Sequence, residues 1–296
     1  MSALARAVTA TRDRPALWIV ALCGFLARGG IVLLVLPMIP LPSTVGMATF
    51  VGPTSVTAAG LTADSVARIA LLAGVVIGWF LVGNTIGALT DRAIVSTVVP
   101  ARGSAEPPRA RLVLWIVAVR LAALLPFIAV VAVTARSVGE LVYQELILPS
   151  DITSPIVLRV VQGARLQVGA IVLAWVVGEV LGGIAVRLAI IEGRSFGRAI
   201  GGALAYVVRH PLATVMGSLA GLAALVVAVV PALMAIEVAW ASLGVAVSGP
   251  LDGSAVAGAT IVVVLAWASA GLLTAIAAAW RGVLWTLLVA GQRAPG

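Results

Sequence analysis

Four ionisable side chains lie inside or at the edge of long apolar runs, and any chemistry of this chain starts from them: Arg28, Arg120, Glu179 and Glu237. A charge in the hydrocarbon of a bilayer is costly unless it faces protein or water, so each marks a polar path, a headgroup contact or an ion pair. Depth decides which can meet. At a helical rise of about 1.5 Å per residue, Arg28 falls roughly 20 Å into its run, past the midplane of a core about 30 Å thick. Arg120 and Glu179 fall roughly 12 Å and 10 Å from that same membrane surface, so these two are expected to pair, with Arg28 facing the same interior. Glu237 follows Pro231 and is expected near the headgroups. The expected site is Arg28, Arg120 and Glu179, serving either an anionic ligand or a pair that fixes helix register.

Catalytic chemistry has little to draw on. His210 is the single histidine, Cys23 the single cysteine, and lysine is absent. No HExxH, GxSxG or Walker-type motif occurs, so no catalytic residue, metal or cofactor is expected. Cys23, inside the first apolar run, reads as a small buried hydrophobe.

The elements that carry these charges follow from length. A span needs about 20 mostly apolar residues. Six segments qualify: 15–38, 66–90, 112–134, 166–190, 212–236 and 256–289. Hydrophobic residues make up 62% of the chain and charged residues 10%, with a mean hydropathy of +1.18; a soluble domain carries about 25% charged residues. The net charge of +8 does not make the chain a nucleic-acid binder, because its arginines are spread through the gaps between runs rather than gathered on one face. The expected fold is an all-α bundle of six transmembrane helices in one domain, residues 1–296.

Arginine placement alternates. Arg6, Arg12 and Arg14 precede the first run, Arg92, Arg102, Arg109 and Arg111 lie between the second and third, Arg187, Arg194, Arg198 and Arg209 lie at or after the end of the fourth, and Arg281 and Arg293 close the chain. The other gaps hold only Arg68, Arg136, Arg159 and Arg165. The positive-inside rule then places both termini in the cytoplasm and the chain in the cytoplasmic (inner) membrane as a multi-pass protein.

The connections have their own characters. Residues 39–65, uncharged but for Asp64 and broken by Gly and Pro, read as an outer loop brushing the headgroups or dipping back among the helices. Residues 100–109 read as a flexible linker, 137–148 as a short amphipathic helix, and Ser154-Pro155 as an N-cap with proline at the first helical position. Trp18, Trp115 and Trp285 suit an aromatic belt. Gly74/Gly78 and Gly83/Gly87 give the second span two opposed small faces, Gly178/Gly182 and Gly217/Gly221 similar ones on the fourth and fifth. Such faces fit neighbouring helices, a membrane-protein partner or a second copy of the chain.

Residues 194–210 form the clearest amphipathic element. Phe196, Ile200, Leu204 and Val207 recur at helical spacing, Arg194, Arg198 and Arg209 remain for the polar side, and His210-Pro211 turns the chain into the fifth span. The N-terminus repeats the idea with Arg6-Ala7-Val8 and Arg14-Pro15 before the first span. A basic elbow ending in Arg-Pro or Arg-x-Pro before a span, within a six-helix chain, resembles the broad bacterial group of integral membrane proteins similar to the membrane domain of glycerophosphodiester phosphodiesterases. That resemblance implies a fold and a membrane location and carries no catalytic motif. The expected function is that of a non-enzymatic permease-like or transport-accessory protein handling a lipid or small anionic solute. The alternative is a structural or assembly subunit of a membrane complex.

Overall fold

The structure, a computed structural model, describes residues 3–39, 56–57, 60–99, 109–151, 153–249 and 253–291. Most of the 39–65 loop and the 100–109 linker lie outside the described residues. The described chain is all-α, as its hydropathy demands, because only a helix satisfies every backbone group within one apolar segment. In order come α1 (Ala3–Arg12), α2 (Ala16–Phe25), α3 (Ile31–Val35), α4 (Ala63–Val98), α5 (Arg109–Ala123), α6 (Leu125–Ile147) and α7 (Ile156–Gly163). Then follow α8 (Arg165–Glu192), α9 (Phe196–Arg209), α10 (Pro211–Ser248) and α11 (Gly253–Gly291). The exception is a two-residue antiparallel ladder in which Val56 faces Leu61.

Among the described residues six helical segments are long and apolar enough to cross a membrane: Ala16–Met38, Val66–Val98, Leu125–Ile147, Arg165–Glu192, Pro211–Ser248 and Gly253–Gly291. The chain is a multi-pass membrane protein. The third segment is not the expected 112–134. Leu124 interrupts the helix, and Pro126 sits at the start of α6, where its missing N–H costs nothing but would break a continuous helix. Arg120 thereby falls in the last turn of α5, where the exposed carbonyls favour a cation. Residues 137–148, expected as a separate amphipathic helix, belong instead to α6, which ends at Ile147.

The chain gathers into two compact units. The first comprises Met1–Ile39, Val82–Ala122 and Val180–Gly296, and the second Pro40–Leu81 and Ala123–Glu179. In the first unit α11 is the central rod. Its Ala279, Val283 and Leu284 pack with Ala7 of α1, Leu17 and Ala21 of α2 and Ile94 of α4. Its Trp285 and Val289 join Ile116, Val119, Ile184 and Tyr206, and its Ala270 meets Leu34, Ala232 and Ile236. Trp285 is therefore a core residue, 6% exposed, rather than part of an aromatic belt. Gly217 on α10 makes room for a neighbour of that core, Leu288 of α11, which a Cβ there would meet at 2.8 Å. The faces of α10 turned away from α11 carry Met216, Leu219, Leu222 and Val227, all exposed. In water that surface would drive aggregation; in lipid it is the expected exterior.

Both elbows are present. In α1, Ala7 and Thr11 are buried one turn apart, and Trp18 Nε1 of α2 donates to the Thr11 carbonyl at 2.9 Å, fixing the bend. In α9 the face against the protein is Ala199, Ala203 and Tyr206. Phe196 and Leu204, expected on one common apolar face with Ile200 and Val207, are exposed instead, while Ile200 and Val207 pack on the core. Small residues let the elbow lie close, and the bulky ones remain for lipid. Cys23 also departs from expectation: it is exposed, two residues from buried Ala21 and hence on the opposite side of α2.

In the second unit α6 and α7 pack together, and a Cβ on Gly163 of α7 would meet Leu141 of α6 at 2.7 Å. The connector between them is closed by Arg159, buried on α7. Its Nε donates to Glu145 at 2.7 Å, and its Nη1 reaches the carbonyls of Asp151 and Ser154. Ser154 does not cap α7, whose N-cap is Pro155; its hydroxyl donates to Asp151 instead. Asp151 also accepts from Thr153 through backbone N and Oγ1 at 2.8 and 2.7 Å. These donors, the Ser154 hydroxyl first, hold the Asp151 carboxyl down to about 2. The helix expected to begin at Pro155 and run on into the fourth span is broken at Ala164, which separates α7 from α8.

Candidate functional site

The polar centre of the first unit is assembled on Asp91, a residue outside the expected set. Asp91 lies on α4 one turn beyond Gly87 and two turns beyond Asn84, so all three share a face. The helix runs on to Val98, well past the expected end at residue 90, and keeps Asp91 buried.

Gly83 and Gly87 bring α4 hard against the first span. A Cβ on Gly83 would stand 2.2 Å from the Ala27 carbonyl, and one on Gly87 would overlap the Arg28 guanidinium. From the other side, Gly24 admits the Thr90 hydroxyl. The Arg28 side chain thus lies across the bare backbone of Gly87 and ends on Asp91, Nη2 to Oδ2, at 2.5 Å.

Arg28 is presented by an irregular backbone. Leu26–Gly30 is a π turn, and Gly29 takes φ 101°, ψ 0°, in the left-handed region that glycine alone enters freely. Such turns widen a helix locally and re-aim the residues they carry. The kink divides α2 from α3 within one span, and the Arg28 side chain is 26% exposed.

Arg120 approaches from α5. It is almost wholly buried, donating Nε to Asn84 Oδ1 at 3.2 Å and standing Nη1 to Asp91 Oδ2 at 3.4 Å. A single carboxylate thus binds two guanidiniums from separate helices, and Asn84 orients the second. Sequence reading placed Arg28 and Arg120 in one interior, and the structure joins them through Asp91. Glu179 is half-buried on α8 within the second unit. Its expected pairing with Arg120 joins residues of different units and stays a proposal.

A second buried guanidinium follows on α8. Arg187, expected at the membrane surface with the other orienting arginines, is 4% exposed. It donates Nη1 to the Gly183 carbonyl at 2.8 Å, Nη2 to the Gly282 carbonyl at 3.0 Å and Nε to Thr286 Oγ1 at 3.2 Å. Thr286 Oγ1 in turn donates to the Gly282 carbonyl at 2.9 Å. Two of these bonds, to Gly282 and Thr286, tie α8 to α11, and the third stays within α8, which is structural work. Glu237 is exposed in mid-helix, because α10 continues through Pro231 to Ser248.

The arrangement can hold an anion against Arg28 in competition with Asp91. Among the described residues no group of three or more His, Cys, Asp or Glu side chains is disposed to bind a metal ion. No family model, curated protein or solved structure matches this chain.

Proposed function

We propose that this chain is a non-enzymatic, permease-like or transport-accessory protein of the cytoplasmic membrane, with both termini on the cytoplasmic side. Its polar site is the cluster of Arg28 and Arg120 on Asp91, and the ligand is a small anionic solute or an anionic lipid headgroup. One observation carries this reading: a partly exposed guanidinium, held by a buried carboxylate, stands on a π turn within a membrane span. Intramembrane charges of this kind mark substrate pathways. An entering anion competes with Asp91 for Arg28, and the hinge at Gly29 lets the guanidinium change partner without unwinding α2. The basic elbows, which resemble those of the glycerophosphodiester phosphodiesterase-like group, support the membrane location, and the alternating arginines support the orientation.

The test is flux through the purified protein in liposomes, with inorganic phosphate and fluorescent phosphatidylglycerol as probes. Arg28→Gln is expected to abolish movement of one of them while leaving folded yield intact. Unchanged flux in a folded Arg28→Gln variant, or no flux of either probe in the wild type, overturns the transport reading. Reporter fusions at each terminus test the orientation.

The second reading, an assembly subunit, is favoured by Gly74 and Gly78 of α4, where an added Cβ would meet nothing within 4 Å. A partner helix would fill that face. A stable partner copurifying in mild detergent, lost on Gly78→Leu, supports it.

A further inference from the structure

The elbow helix forms one wall of a cavity that the Arg28 cluster does not use. It holds about 250 Å³ and is lined from α8 by Leu188 and Glu192, from α9 by Tyr206 and Arg209, and by Arg194 and His210 at the two ends of α9. Two arginines face one carboxylate there, and that carboxylate, Glu192, is engaged with Arg194. Gly202 makes room: a Cβ at this position would overlap the Arg194 guanidinium, so the bare backbone lets that side chain lie across α9.

Tyr206 points independently to a ligand. It is 8% exposed, its ring is tilted against His210 with centroids 5.1 Å apart, and its hydroxyl has no hydrogen-bond partner among the described residues. A buried hydroxyl without a partner is an uncommon cost that a bound acceptor removes. Burial also raises the Tyr206 pKa, keeping the proton available for donation.

We infer that this cavity binds a phosphate group, held by Arg194 and Arg209 with the Tyr206 hydroxyl as the neutral donor. The volume is below the range of pockets for drug-sized ligands, which fits a phosphate or a phospholipid headgroup rather than a larger solute. The same helix exposes Phe196, Leu204 and Val208, apolar surface on which acyl chains would lie. This site stands independently of the Arg28 cluster.

The experiment uses the full chain, delipidated in detergent, with phosphatidylglycerol, phosphatidylcholine and inorganic phosphate as separate probes. Native mass spectrometry reads lipid binding, and a thermal shift reads phosphate. Tyr206→Phe removes only the hydroxyl and keeps the ring against His210, and exposed Arg209→Gln leaves the core untouched. Each is expected to weaken the phosphate-bearing probe by roughly tenfold, as loss of a hydrogen bond to a charged group does. Arg136→Gln, on the exposed face of α6, is expected to change nothing. Preference for phosphatidylglycerol over phosphatidylcholine that depends on Tyr206 assigns the lipid headgroup. A Tyr206-dependent shift with inorganic phosphate and no lipid preference assigns the free ion. Wild-type binding of every probe by a folded Tyr206→Phe variant overturns the site.

Discussion

Arg28 and Asp91 meet at 2.5 Å across 63 residues of chain, with Gly87 lying bare beneath the guanidinium. The contact exists because two helix backbones touch, and the same carboxylate then gathers Arg120. Asp91 is the hub, and removing it takes the shared carboxylate from two guanidiniums.

Breaking a buried pair by deleting one partner costs about 3–5 kcal/mol, because the remaining charge is stranded. Asp91→Asn is therefore expected to lower the thermal midpoint in detergent far more than Arg28→Gln, since Arg28 is partly exposed and can turn outward. The Arg28→Gln/Asp91→Asn double variant is expected to be less damaged than the sum, with a coupling of about 1–3 kcal/mol. Strict additivity would mean that the pair carries no energy.

The three-way anchoring of Arg187 makes a separate forecast. Thr286→Val keeps the volume of the side chain but removes the acceptor for Nε. A hydrogen bond to a buried charge is worth about 1.5–3 kcal/mol, so a loss of that order is expected in chemical unfolding. A change below about 0.5 kcal/mol would show that water replaces the threonine.

What the sequence revealed and what it hid divide along a physical line. Span length, apolar content and the Arg-Pro entries of the elbows are one-dimensional properties, and α1, α9 and five of the six long apolar segments follow from them, the third being displaced to Leu125–Ile147. Asp91 was missed because hydropathy ends the second run at residue 90, whereas the helix continues to Val98. The signal available was the face Asn84–Gly87–Asp91, a carboxylate one turn after a small residue. Arg187 was misread because charge near the end of an apolar run looks the same whether it faces headgroups or Thr286. Proline was ambiguous as well: Pro126 starts a new helix, while Pro231 rides inside α10. Tertiary packing makes that choice, and no local pattern records it.

The glycine faces separate cleanly by substitution. Gly83→Ala drives a methyl group onto the Ala27 carbonyl, a backbone atom that cannot step aside. Overpacking of that kind costs about 1–3 kcal/mol, and it should also loosen the Arg28–Asp91 contact two turns along α4. Gly74→Ala meets nothing and is expected to stay within about 0.5 kcal/mol of the wild type. Equal midpoints for the two variants would contradict the close approach of α2 and α4.

Acid gives the last test, at the connector between α6 and α7. The Asp151 carboxyl titrates at about 2 in the fold against an ordinary 3.8. The folded state favours the ionised form, so its contribution is complete above the unfolded value and lost as pH falls through the folded one. Asp151→Asn is therefore expected to have a lower thermal midpoint than the wild type at neutral pH. The gap should hold down to about pH 4 and shrink towards zero as pH approaches 2, because the wild-type carboxyl then becomes neutral too. Serine and threonine hydroxyls supply most of the hold on this carboxylate, with Arg159 the smallest influence. The gap should consequently survive added salt, which screens charges but leaves neutral hydrogen bonds in place. A gap that collapses in high salt at neutral pH would assign the effect to Arg159 instead.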